Sequence, residues 1–270
     1  MTTNSLDLNK LEKLYTFIID LTRYARARQK KVKRHFKSDG SVLTEIDLYI
    51  SNEISKKIKE LFPDANVISE EEESPFDGEK PFTFILDPID GTDVFSQGMP
   101  SYATALGILD RERNPIGAVI SAPRFGIGEE ELNIRLFPGA ECLINGEPLV
   151  MEDKGDEIKQ IMMTSQGISK YDFSSYDGKI RTIGSSILHI LSPVIFPQID
   201  ASITQACYAW DISASHAILK HYSMDLFYND GTRVEYTDQM LVQRKKCKST
   251  IYASTEEKAL RLMRLVPFMP

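Results

Sequence analysis

Three aspartates crowd one short stretch of this chain, Asp87-Pro88-Ile89-Asp90-Gly91-Thr92-Asp93, directly after the apolar run Phe82 to Leu86. A hard cation such as Mg2+ takes oxygen ligands in an octahedron, about 2.0 to 2.1 Å away, so clustered carboxylates are what it requires. A strand aimed into the motif would fix Asp87, and Pro88 would stiffen the backbone so that Asp90 returns to the same side. Gly91 lets the main chain approach an oxyanion, and a helix opening near Thr92 would offer unpaired N–H groups to a phosphate. The same residue types also build ordinary surface turns. An aspartyl-nucleophile phosphatase is a further alternative, but its motif sits near the chain start with one residue between the aspartates; here two intervene.

Three other acids bear on the choice. Asp47 stands three residues after Thr44 at a helix start, where its bland role is that of a capping-box acid. Glu70 to Glu73 follow the apolar pair Val67-Ile68, and solvated glutamates are the default there. Asp211 enters a helix behind the single tryptophan, Trp210, as an N-cap residue would. No serine or cysteine sits in a nucleophile setting, and the four histidines (His35, His189, His216, His221) are scattered, which favours direct attack by water.

The elements that must position these residues show in the apolar spacing. Leu8, Leu11, Leu14, Phe17, Ile18, Leu21 and Tyr24 predict a long amphipathic helix over 7–36, broken by Ser38-Asp39-Gly40-Ser41. Ile46, Ile50, Ile54, Ile58 and Leu61 predict a second helix from Thr44 to just before Pro63. Strands are predicted over 82–86, 102–109 and 116–122, and Asn145-Gly146 predicts a hairpin between 142–144 and 147–150. From about residue 136 strands (158–164, 181–183, 201–204) alternate with helices (186–196, 212–221), as in a layered α/β unit. Strands over 226–228 and 233–236, another over 250–253, and a helix opened by Ser254-x-x-Glu257 complete the pattern.

Composition sets the outer bounds. A chain of 270 residues with 42% hydrophobic content builds an ordinary globular core of one large or two modest domains. No apolar run approaches the roughly 18 residues that span a bilayer, and Met1 to Leu8 has no apolar signal core, so neither membrane insertion nor secretion is expected. Cys142, Cys207 and Cys247 lack disulfide or zinc spacing and read as reduced thiols in a cytoplasm. A net charge of −7 argues against nucleic acid as the main partner. The one basic segment, Arg23 to Lys37, reads as a solvated helix face, with substrate steering or an interaction surface as alternatives.

Taken in order, the acidic segments resemble the inositol monophosphatase family, magnesium-dependent and lithium-sensitive phosphatases with fructose-1,6-bisphosphatase and bisphosphate nucleotidase relatives. Lys37-x-Asp39-x-Ser41-x-x-Thr44-x-x-Asp47 is similar to the family's first loop, and Ser69-Glu70-Glu71 to its Glu-Glu element. Asp87 to Thr92 resembles its signature, Arg181-x-x-Gly184-Ser185-Ser186 its Gly-Ser element, and Trp210-Asp211 its second signature. The likeness covers most of the chain. It implies an α+β fold, a layered α-β-α-β-α sandwich of the sugar phosphatase type. Residues 1–136 would carry most metal ligands, and 137–270 would carry Asp211 and the substrate side.

The resemblance also implies two or three Mg2+ ions. One would take Glu70, Asp87 and the Ile89 carbonyl; a second would share Asp87 and add Asp90 and Asp211; a third, weaker ion would lie near Glu70. Glu70 is preferred over Glu71 because it directly follows Ser69. Thr92 paired with Asp47 would orient the attacking water, and Gly91, Thr92, Asp93, Gly184, Ser185, Ser186, Thr204 and Asp211 would surround the substrate. That substrate is a small phosphorylated metabolite, with inositol monophosphate leading. The alternatives are 3′-phosphoadenosine 5′-phosphate or fructose 1,6-bisphosphate, and more remotely a catalytically silent binding subunit. The family implies a homodimer. Departures lie in the pocket: Asp93-Val94 matches neither the inositol enzymes nor the nucleotidases, and Thr204 stands where the inositol enzymes place a substrate-binding glutamate.

Overall fold

The computed structural model describes residues 6–126, 128, 130–152 and 154–269. Helix α1 (Leu8–Arg28) is capped by Asp7, whose carboxylate accepts from the N–H groups of Asn9 and Lys10, and it buries Leu11, Leu14, Ile18 and Leu21. It ends at Arg28 rather than near 36, because the buried stripe runs out after Ala25 and the cations that follow are solvated. A 3-10 turn over Gln29–Lys31 then leads to β1 (His35–Phe36), which pairs with β2 (Val42–Leu43) around the Ser38 to Ser41 turn. Helix α2 (Glu45–Leu61) is capped by Thr44 and buries all five predicted apolar positions. Each such isoleucine contributes ~1.5–3 kcal/mol relative to leaving it exposed.

The first sheet follows sequence order: β3 (Ala65–Ser69), β4 (Phe82–Asp90), β5 (Ala103–Asp110), β6 (Pro115–Ala122), β7 (Leu132–Leu136), β8 (Cys142–Ile144) and β9 (Glu147–Pro148). The β3–β4 pair is parallel and the rest are antiparallel. A short helix, α3 (Thr92–Ser96), leaves the end of β4. The change of pattern near 136 falls inside this sheet, and the chain leaves it only after Pro148. Strand β7 has no counterpart among the sequence expectations, its Asn133 and Arg135 having masked an otherwise apolar run.

The second sheet, in spatial order, is β11 (Lys179–Arg181), β10 (Gln160–Met163), β12 (Ala201–Thr204), β14 (Ile251–Ser254) and β13 (Asp225–Tyr228). Between the sheets lie α4 (Ser186–Ile195) and α5 (Ala209–His221), whose apolar residues join both sheets in one core. Helices α1 and α2 cover the outer face of the first sheet. After the one-turn α6 (Asp238–Leu241), helix α7 (Glu256–Leu265) covers the second. The result is the layered α-β-α-β-α sandwich. Among the described residues no helix is long and apolar enough to cross a membrane.

Two local expectations are corrected. Residues 233–236 form no strand. A single bridge joins Phe227 and Arg233, after which the chain departs to set the Tyr236 hydroxyl 3.1 Å from His216 Nδ1. The last helix is capped by Thr255, not Ser254, because Ser254 belongs to β14 and its hydroxyl donates to the Asp200 carbonyl at 2.8 Å.

Candidate metal centre

Strand β4 does not stop at Leu86; it runs through the aspartate motif to Asp90. Side chains three apart on a regular strand point to opposite faces, which would separate Asp87 from Asp90. The pairing of Asp87 with Ala105 and of Asp90 with Ala103 sets two β4 residues, Pro88 and Ile89, against the single Thr104. That extra residue is a β-bulge, and it turns Asp90 back to the side of Asp87. Proline is tolerated at such a bulge. The Thr104 hydroxyl pins it by donating to the Pro88 carbonyl at 2.7 Å.

Asp211 reaches the same spot from the first turn of α5, where it also accepts from the Tyr208 N–H at 2.6 Å. Ligand oxygens of Asp87, Asp90 and Asp211 all lie within 4.8 Å of one another. The Asp87 Oδ1 atom is buried with no hydrogen-bond partner. Burial, then the neighbouring carboxylates, push Asp87 and Asp211 well above the usual carboxylate range. Asp90 is pushed up by burial to about 6, against donation from Ser185 Oγ and from the Ile187 and Ser186 N–H groups at the start of α4. Mutually repelling acids with an orphaned buried oxygen are the donor set that a divalent cation satisfies.

Glu70 extends from the end of β3 beside this group, outside the trio's 4.8 Å cluster. Its carboxylate accepts from Lys37 Nζ at 2.8 Å, and Glu71 accepts from the same ammonium at 2.5 Å. Burial raises Glu70 to about 7 despite that cation. Burial works against the Lys37 ammonium too, but the two glutamates hold its pKa above the ordinary lysine value.

Asp47 takes the capping role that its position suggested and also meets Thr92, as the resemblance implied. One oxygen closes the α2 capping box, accepting from the Thr44 N–H at 2.9 Å, and the other accepts from Thr92 Oγ1 at 2.8 Å. Burial raises it to about 6. The Ile89 carbonyl is the second acceptor within reach of Thr92 Oγ1, also at 2.8 Å. Gly91 has φ +86°, and an added Cβ would meet the Gly184 carbonyl at 3.0 Å, so only glycine fits this turn. Helix α3 has only five residues, too short for a full macrodipole, which leaves individual N–H groups rather than a long helix end to face an anion.

A cleft of about 620 Å³ opens beside the acids, with Glu70 and Asp211 in its wall. Ser186, Thr204 and Asp211 line it; Thr204 is buried and its hydroxyl has no partner. Ser185 does not face it, being fully buried and spent on Asp90 and on capping α4. Gly184 packs against Val94, and Asp93 turns to Arg34 at 2.5 Å, away from the cleft lining. Sequence reasoning missed Arg244. Its guanidinium donates to the carbonyls of Ser69 (2.8 Å) and Glu70 (2.9 Å) and lies 4.9 Å from the Trp210 ring, so it clamps the Glu70 segment to the α5 start. Tyr208 stacks on Trp210 at 4.6 Å, and Lys246 lies over Tyr208 at 5.2 Å. No spacing in Gln243 to Lys248 advertised these roles.

Two packed sheets with acids converging from a bulged strand and a helix start define a candidate metal-binding protein of the layered α+β class. The family model for the inositol monophosphatase family matches residues 11–259, and the chain belongs to that family, whose members hydrolyse phosphate monoesters. It is similar to the fructose-1,6-bisphosphatase/inositol-1-monophosphatase of Thermotoga maritima, at 28% identity over 66% of this chain and 68% of that one. It is also similar to the 3′(2′),5′-bisphosphate nucleotidase CysQ of Haemophilus influenzae, at 33% identity over 35% of this chain and 36% of that one. The fold matches a staphylococcal inositol monophosphatase-1, solved as a lithium chloride inhibitory complex, with a TM-score of 0.78 at 16% identity over 96% of this chain and 95% of that one.

Proposed function

We propose that this protein is a Mg2+-dependent phosphomonoesterase for a small polyol or sugar phosphate, inositol monophosphate first among them. The convergence of Asp87, Asp90 and Asp211 around an unpartnered buried oxygen carries this reading. Glu70, Asp87, the Ile89 carbonyl, Asp90 and Asp211 would hold two ions, with a third, weaker one beside Glu70. Bound there, the ions supply Lewis-acid charge and lower the pKa of a water. The chain's own groups do the rest. With its hydrogen given to Asp47, Thr92 Oγ1 turns a lone pair outward to hold a proton of the attacking water. The Gly91 and Thr92 N–H groups hold phosphate oxygens, and Ser186 and Thr204 face the alcohol.

A second reading keeps the chemistry and gives the substrate a second anionic group, as in 3′-phosphoadenosine 5′-phosphate or fructose 1,6-bisphosphate. It is favoured by Lys246 on the cleft wall and by the absence of a carboxylate at Thr204. A phosphate-release panel over inositol monophosphates, both bisphosphates and histidinol phosphate, with and without magnesium and lithium, separates the two. Magnesium-dependent release that lithium suppresses is expected, and Asp90→Asn abolishes nearly all of it; an unchanged rate in that variant would sink the metal assignment.

A further inference from the structure

Two of the three cysteines meet across the cleft wall. Cys207 sits in the link from β12 to α5, and Cys247 in the segment between α6 and β14, 40 residues away. The Cys247 N–H donates to the Cys207 carbonyl at 2.9 Å, and the Cys207 N–H donates to Cys247 Sγ at 3.3 Å. Both thiols are free and buried, with 8% and 5% of their surfaces exposed, and Cys207 lines the cleft. A direct N–H to carbonyl bond between the two backbones, with one sulfur already against the other residue's amide, makes them the close neighbours that a disulfide, with its Cα separation of about 4.4 to 6.8 Å, requires.

We infer that Cys207 and Cys247 are an oxidative modification site, a thiol pair that a hydroperoxide entering through the cleft converts to a disulfide, lowering activity. The step balances. The Cys247 sulfur attacks the peroxide O–O bond, giving a sulfenic acid and releasing an alcohol, or water from hydrogen peroxide. The Cys207 sulfur then displaces hydroxide from that sulfenic sulfur, and the second water leaves with the Cys207 proton. The pair loses two electrons to the peroxide. Donation from the Cys207 thiol and N–H holds the Cys247 thiol down at about 7, which suits it to attack first. Cys142 is a spectator on β8, pushed by burial to about 11.

The consequence reaches the cleft through short links. Cys207 is followed by Tyr208, Trp210 and Asp211, while Cys247 is three residues past Arg244, the clamp on the Glu70 segment. Drawing the sulfurs to a bond of about 2.03 to 2.05 Å moves one of these segments against the other. The effect on catalysis rests on the phosphatase reading above; the bond itself does not.

The test oxidises the full-length folded protein with a few equivalents of hydrogen peroxide, then counts thiols after denaturation and maps peptides without reductant. Free thiols should fall from three to one, the intact mass should drop by two hydrogens, and a cross-linked peptide should contain Cys207 and Cys247. Phosphate release should fall severalfold, and dithiothreitol should restore it. Cys247→Ser should keep its unoxidised activity and lose the response, whereas Cys142→Ala should keep the response. Oxygen addition without a cross-link, oxidation led by Cys142, unreacted thiols in the folded protein, or a cross-linked enzyme of unaltered rate would each overturn the proposal. The thiol count and peptide map need no substrate, so a protein inert towards every phosphate ester still decides the bond.

Discussion

Helix α5 touches two sets of buried acid, and they are handled in opposite ways. At its first turn Asp211 faces Asp87 and Asp90 with an oxygen left unpartnered and every member pushed upward in pKa. Further along, His216 Nε2 meets Asp225 Oδ1 at 2.7 Å, the Tyr236 hydroxyl engages the other ring nitrogen, and Arg233 and Lys220 stand 3.6 and 3.8 Å from the second carboxylate oxygen. Burial pushes Asp225 upward, but His216, the Leu226 N–H and Lys220 hold it below the usual range. The second cluster completes itself; the first asks for an outside cation. A buried charge marks a binding site when its surroundings leave it unpaired, not merely because it is buried.

Paired substitutions on the one helix break the comparison most sharply. Asp211→Asn should cut phosphate release by more than about a hundredfold, beyond the range of outer-shell changes. The metal-free variant should unfold at the same or a higher urea midpoint than the parent, because one repelling charge is gone. Asp225→Asn should do the reverse: stability falls by ~1–3 kcal/mol in urea titration as the buried His216 loses its charged hydrogen-bond partner. Its rate at saturating magnesium should stay near the parent's. Should Asp225→Asn prove the inactive one, the contrast between the clusters fails.

Arg244→Ala tests whether the clamp belongs to the unpaired cluster. Magnesium affinity by calorimetry should weaken about tenfold, with little change in unfolding midpoint. The smallest effect is in pH. Metal-free, Asp47, Glu70 and Asp90 have folded values of about 6, 7 and 6 against ordinary values of 3.8, 4.5 and 3.8. Their protonated forms favour the fold, so stability is full below about pH 4 and drains as pH rises through 6 to 7. Asp225, held low, contributes in the other direction and is lost on acidification. A melting series from pH 4 to 8 should show the midpoint drifting down a few degrees without metal. Excess magnesium should cancel the drift.

How much of this was legible depended on whether local chemistry or tertiary contact decided the point. The isoleucine stripe of α2, the Asn145-Gly146 hairpin and the capping role of Asp47 are local, and the structure keeps them. The order of acids gave the family. The β-bulge that brings Asp87 and Asp90 to one side was not legible, because it depends on which β5 residues pair with the motif. Nor was Arg244, whose three carbonyl acceptors are more than 170 residues distant in sequence. Ser185 shows the same dependence: its segment resembles a substrate loop, and only the fold reveals that its hydroxyl donates to Asp90.

Val94 and Gly184 have a further consequence. A Cβ at 184 would lie 2.4 Å from a Val94 methyl, so the turn after the first acidic motif and the loop before α4 fit as tooth and notch across the two halves of the chain. Neither position is free to change alone. An alanine at 184 demands a smaller residue at 94, and a bulkier residue at 94 has no notch to enter. Across relatives the two positions should therefore drift as a linked pair, and an attempt to graft another family member's Asp-Gly-Thr-x-x segment into this chain should fail until its matching loop is carried along with it.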